Sequence, residues 1–143
     1  MIQRYFTLQE AQACLPRVRE LVAEVQELKR RAHAKISHWR TRGEANFVEL
    51  AVSQGQVEFL YSEVRHRLET LLDLGCVPKD MDQGLVDFPA RIPGYGEGYF
   101  CWKAGEAEVG HWHGLTEGFS GRKPIVEAGV PWKTLPGFRS PLR

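Results

Sequence analysis

The sequence predicts an α+β protein: a long antiparallel helical hairpin packed on a small three-stranded antiparallel β-meander, with an irregular C-terminal tail. Three observations predict it. Apolar residues recur at steps of three and four over two long stretches of the first half. Backbone-breaking residues are almost confined to the second half, where only Gly43, Gly55, Gly75 and Pro16 precede residue 76 among fourteen glycines and eight prolines. Short β-branched and aromatic runs separated by turn residues follow that boundary. The expected organisation is a hairpin over 1–76, a meander over 77–121 within the same domain, and a Pro-rich tail over 122–143.

The first helix opens at Thr7, which with Glu10 forms a capping box: the hydroxyl accepts from a first-turn amide and the carboxylate reaches back. Pro16 disfavours helical backbone at Leu15, so a short helix over Leu8 to Cys14 is expected, with a new one starting at Pro16. Val18, Leu21, Val25, Leu28, Ala32 and Trp39 then form a coiled-coil-like seam, interrupted by Lys35 and stopped at Gly43. Phe47, Leu50, Gln54, Val57, Tyr61, Val64, Leu68 and Leu71 repeat the spacing in a second helix, closed by Gly75 and Pro78. Each helix runs about 40 Å. The connection near Gly43 to Asn46 is too short for a parallel return, so the helices lie antiparallel.

The seam does not consume all the apolar residues. Val22 and Ile36 on the first helix, and Val48, Val52, Phe59, Leu60 and Leu72 on the second, lie beside or beyond it. Exposing each large side chain forfeits roughly 1.5–3 kcal/mol. Their cover is expected from the β segment and from a second copy of the chain, making a homodimer through the helices.

Three strands are expected, over Leu85 to Ile92, Tyr99 to Lys103 and Glu108 to His113. Residues 93–98 form a flexible first connection, and Ala104 to Glu106 a tight second one. Pro89 belongs at an edge or bulge. The tail carries Pro124, Pro131, Pro136 and Pro141, with Trp132 and Phe138 as anchors.

Composition bounds the function classes. A formal charge of +1 over 143 residues opposes a strongly basic nucleic-acid binder and an acidic solvating tail. Cys14, Cys76 and Cys101, an odd set without CxxC spacing, fit a reducing compartment, and no run reaches the roughly 20 apolar residues of a membrane span. A cytoplasmic protein without membrane attachment is the expectation.

Four groups of residues are candidates for chemistry, each weighed against an ordinary structural role. His111 and His113 are two apart on a strand, so both imidazoles point to one side. With Cys101 across from them, and a carboxylate from Asp87, Glu106 or Glu108, they fit a zinc site with an open position. Cys101 with His113 as its base also fits a nucleophile pair. Asp87, Arg91 and Arg122 fit an anion- or ligand-binding set, Asp87 sharing a face with Leu85, Pro89 and Arg91. Arg31, Lys35 and Arg42 form one stripe of a helix that carries six basic residues and no acid between Lys29 and Arg42, a pattern able to touch phosphates.

YFT at 5–7 with Leu15-Pro16, GLVDFPA at 84–90, CW at 101–102, GE at 105–106, WH at 112–113 and GFSGRKP at 118–124 occur in this order. Together they resemble an uncharacterised bacterial family, domain of unknown function 2203, to about residue 125. The resemblance implies a small bacterial cytosolic protein and supplies no reaction, substrate or cofactor. The leading expectation is therefore a non-enzymatic interaction or scaffold protein associating through its hairpin, with a protein partner or a second copy. A metal- or small-ligand site on the meander, hydrolytic if zinc-bound, is the second reading, and nucleic-acid binding by the basic stripe is the third.

Overall fold

A computed structural model describes residues 4–42 and 46–125 of the chain. Helix α1 spans Leu8–Arg42 and α2 spans Phe47–Asp73. A five-stranded sheet follows, with β1 at Val77–Asp80, β2 at Leu85–Ile92, β3 at Gly96–Lys103, β4 at His111–Gly114 and β5 at Lys123–Pro124. Its strands lie side by side in chain order, every neighbour antiparallel. The meander is thus two strands larger than the sequence predicts.

Both arms of the predicted capping box form. The Thr7 amide donates to Glu10 Oε1 at 2.8 Å, and the Glu10 amide to Thr7 Oγ1 at 3.1 Å. The expected break at Pro16 does not occur, and α1 runs through it without interruption. A proline inside a helix costs about 3 kcal/mol. Here the helical stretches on both sides of it bury Ala11, Leu15, Val18, Leu21 and Val25 in one core, which offsets that cost.

Asn46 caps α2 by accepting from the Glu49 amide at 2.8 Å. The far end closes in a Schellman arrangement: the Cys76 amide donates to the Leu71 carbonyl and the Gly75 amide to the Leu72 carbonyl. Gly75, at φ +96°, supplies the left-handed residue this requires. Cross-links from Glu24 to Arg67 and from Lys35 to Gln56 show that the helices run antiparallel. The stop expected at Gly43 lies outside the described residues, as do Trp132, Phe138 and the rest of the tail beyond Ile125.

The core lies between α1 and one face of the sheet. Val86, Phe88, Ala90, Ile92, Phe100, Trp102 and Trp112 line that face, and Phe6 stacks edge-on against Phe88. The amide side chain of Gln12 fastens α1 to the chain before β4, exchanging two hydrogen bonds with the Val109 backbone. Val109 is therefore an anchor, and β4 begins three residues later than the alternation from Glu108 suggests. β3 starts three residues early because Gly96 and Gly98 pair with Ile92 and Ala90 across a tight turn at Pro93 to Tyr95. β1 begins opposite Asp87 and runs back toward Leu85. At Pro89 the strand therefore has a free edge, and the Pro89 carbonyl accepts from the Phe6 amide at 2.7 Å.

Of the spare apolar residues, Val22 and Leu60 are buried and Ile36 is half-buried. Val48, Val52, Phe59 and Leu72 stay exposed.

The turn into β2 gives a stability prediction. Gly84 sits at φ +71°, and a Cβ there would lie 2.4 Å from the Ala104 Cβ. Gly84→Ala is expected to destabilise by on the order of 3 kcal/mol, from backbone strain plus overpacking. Gly94 has a similar φ of +76° with open space around it, so Gly94→Ala should cost only about 1 kcal/mol. Urea midpoints of the two variants check the contrast.

Candidate metal centre

The sheet face turned away from α1 carries Leu85, Asp87 and Pro89 on β2, Tyr99 and Cys101 on β3, and His111 and His113 on β4. Alternation fixes each residue's side, and register fixes its neighbours. Asp87 pairs with Cys101, Cys101 with His111, and Tyr99 with His113. His113 therefore stands one row from Asp87 and one strand beyond Cys101. Its ring reaches diagonally over β3, beside the Tyr99 ring at a centroid distance of 5.3 Å.

There His113 Nε2 lies 3.1 Å from Asp87 Oδ2, and Nδ1 lies 2.9 Å from the Gly114 carbonyl. One donor atom each from Asp87, Cys101 and His113 lie within 4.8 Å of one another. All three residues are buried, exposed by 2%, 1% and 3%. They form one wall of a cavity of 220 Å³ whose other walls include Lys79, Leu85, Tyr99, Leu115, Glu117 and Phe119. Glu117 is held by the Gly114 amide and by Lys123, which fixes the Leu115 to Phe119 segment over the site.

The Asp87 carboxylate, then Cys101 and the Gly114 carbonyl, raise the His113 pKa from 6.5 to about 10 against the opposing effect of burial. Without a metal, His113 is an imidazolium bonded to a carboxylate. A carbonyl only accepts, so Nδ1 carries a proton in either charge state. Nε2 is then the one ring nitrogen able to offer a lone pair.

That geometry separates the two readings of Cys101. An Asp-His-Cys relay places the thiol and the carboxylate on opposite ring nitrogens. Here the second nitrogen is committed to a backbone carbonyl, so thiol and carboxylate share one side of the ring. Convergence on a point is the geometry of ligation. The fixed Nδ1–H is the usual support of a metal-bound imidazole.

His111 does not join the cluster. Its Nδ1 lies 3.7 Å from Glu106 Oε2, toward the other end of the strand. Arg122 grips both oxygens of Glu106, at 2.7 and 2.8 Å, and also donates to the Cys101 carbonyl. Burial pushes the Glu106 carboxyl upward, but Arg122 and the Lys103 amide hold it below its usual range. Arg91 lies over the Tyr5 ring, whose hydroxyl bonds Glu97. Asp87, Arg91 and Arg122 therefore enter three separate interactions and do not form an anion clamp.

Arg31 and Lys35 line a groove between the helices, with Lys35 bonded to Gln56. The side chain of Arg42 is outside the described residues. Elsewhere, burial and the neighbouring Cys14 push the Cys76 thiol up to about 12.

Asp87 joins Cys101 and His113 in the converging group, whereas His111, the other half of the two-apart histidine pattern, lies outside it. The available signal was alternation on β2, which places Asp87 on the face of Cys101 as soon as the two strands pair. Among the described residues no helix is long and apolar enough to cross a membrane. A family model described as an uncharacterised conserved protein, DUF2203, matches residues 4–125. No curated protein and no solved structure matches the chain.

Proposed function

The chain belongs to the DUF2203 family of uncharacterised conserved proteins, and from its sheet geometry we propose that it binds a divalent transition metal through Asp87, Cys101 and His113. The observation that carries this reading is the convergence of three buried donor atoms within 4.8 Å. A tetrahedral zinc ion holds its ligands roughly 3.5 Å apart. His113 and Asp87 are already at that spacing, and small side-chain rotations bring in Cys101.

Charge and donor type both suit zinc. Mixed nitrogen, oxygen and sulfur ligands suit it better than magnesium or calcium, which prefer all-oxygen shells. A carboxylate and a thiolate neutralise a divalent ion, and a neutral cluster is the least costly kind to bury. The ion replaces the proton of His113 Nε2, and Gly114 keeps the ring oriented. Three protein ligands would leave a fourth position open, the pattern of zinc sites that polarise a bound water or carbonyl, and the three residues line a cavity.

The test is metal analysis of gently purified protein, followed by cobalt substitution. About one equivalent of metal is expected, together with a thiolate-to-cobalt charge-transfer band that disappears in Cys101→Ser. Less than about a tenth of an equivalent, with no heat on zinc titration, would refute the proposal.

A further inference from the structure

A second surface lies on the outer part of the hairpin. α1 meets the sheet and its connections through Gln12, Arg19, Gln26 and Lys29, all in its first two-thirds. Beyond them, among the described residues, only the two helices cover each other. There Val48, Val52 and Phe59 are exposed by 69%, 56% and 63%. With Gly55 they follow steps of four, three and four along α2, so they form one stripe. Val52, Gly55 and Phe59 of the stripe form one wall of a groove of 390 Å³ between the helices, and Arg31 and Lys35 edge it on the other side.

Gly55 is the informative member. A glycine inside a helix weakens it relative to alanine. A Cβ at Gly55 would meet nothing within 4 Å. The fold of one chain therefore gives no reason for a glycine at the centre of an apolar stripe. Close approach of another helix does give one.

The charges indicate which helix. Residues 29–42 of α1 carry six cations and no acid, whereas α2 carries Glu49, Glu58, Glu63, Glu69 and Asp73 against Arg65 and Arg67. An acidic helix with an exposed apolar stripe complements a basic-edged apolar groove, and each copy of this chain supplies both halves. Such reciprocity is what a twofold contact requires.

We infer that two copies associate through this surface, α2 of each lying across the Gly55 stripe of the other with its acids toward Arg31 and Lys35. The inference goes beyond the metal site and does not depend on it. The surface is small, so the dimer is weak and concentration-dependent.

Sedimentation equilibrium of the full chain from about 1 to 500 µM tests it. A reversible dimer is expected, weakened by salt. Gly55→Leu should raise the melting temperature of dilute monomer, because leucine is the better helix former, while weakening the dimer roughly tenfold or more. Phe59→Glu should leave only monomer with an unchanged circular dichroism spectrum. A strict monomer over the whole range, a dimer that survives both substitutions, or one that Gly55→Leu strengthens would each overturn the inference. So would an acidic foreign helix displacing the second copy at equal concentration.

Discussion

Asp87→Asn is expected to cost the metal-free protein roughly 3–5 kcal/mol at pH 6, although it exchanges one atom for another of similar size. The substitution leaves His113 buried without its counter-charge, and the ring must shed a proton or stay unpaired. The pH dependence has a definite sign. His113 titrates near its ordinary value of 6.5 when unfolded and is raised to about 10 in the native structure by Asp87 and Cys101. Its contribution is fully present below pH 6.5 and is lost as pH rises through about 10. The gap between wild type and Asp87→Asn should therefore narrow across that window, by about 1.4 kcal/mol per pH unit. Urea unfolding of chelator-treated protein at pH 6 and pH 9.5 measures both values. An equal gap at the two pH values would mean that the contact is a neutral hydrogen bond.

What the sequence discloses here follows the range of the interactions involved. The capping box at Thr7 and Glu10 and the closure at Gly75 rest on residues within one or two turns of each other, and both form. The seam forms only in part: Val57, Val64 and Leu71 of α2 are buried, but Phe47, Gln54 and Tyr61 are exposed and Leu60 takes a place in the core. Pro16 misled because its local penalty competes with core burial on both sides, which no local rule measures. β1 and β5 went unseen for a different reason. Val77–Asp80 contains a proline and lacks alternation, and Lys123–Pro124 is two residues long. Both are strands only because a neighbouring strand is there to pair with.

The centre was half legible on the same grounds. Alternation assigns Asp87, Cys101, His111 and His113 to one face. It does not give the offset between β2 and β4, and that offset decides which histidine reaches Asp87. His111 is the direct neighbour of Cys101, yet it turns to Glu106, whose carboxylate Arg122 fixes beside it. His113 is the diagonal neighbour, and it crosses the middle strand because Gly114 and Asp87 bind its two nitrogens. The burial of the face was also hidden. Its cover is the Leu115 to Phe119 segment, a stretch without strand or helix periodicity that Glu117 and Lys123 fasten in place.

Zinc should reverse the pH trend of the metal-free protein, and Cys101→Ser should abolish that reversal. At a free zinc concentration one hundred times its dissociation constant, the wild type is expected to gain about 2.7 kcal/mol. For a chain of this length that raises the melting temperature by on the order of 8 °C. Binding must displace the proton on His113 Nε2 and convert Cys101 to thiolate, so the gain grows with pH, by up to about tenfold in affinity for each proton released. Serine at position 101 nearly preserves shape but does not ionise. With a hundredfold weaker site, the same zinc concentration would leave only about 0.4 kcal/mol. The two substitutions then separate the roles of the cluster. Asp87→Asn damages the protein with and without zinc, because the carboxylate balances either a proton or an ion. Cys101→Ser alters the metal-free melting temperature far less than Asp87→Asn does, because without metal the thiol contributes a hydrogen bond to His113 and no counter-charge. Thermal melts of both variants with and without zinc, at pH 6.5 and pH 8, give the comparison. If zinc stabilised Cys101→Ser as strongly as the wild type, Cys101 would not be a ligand, and the converging cluster would reduce to a buried ion pair beside an inert thiol.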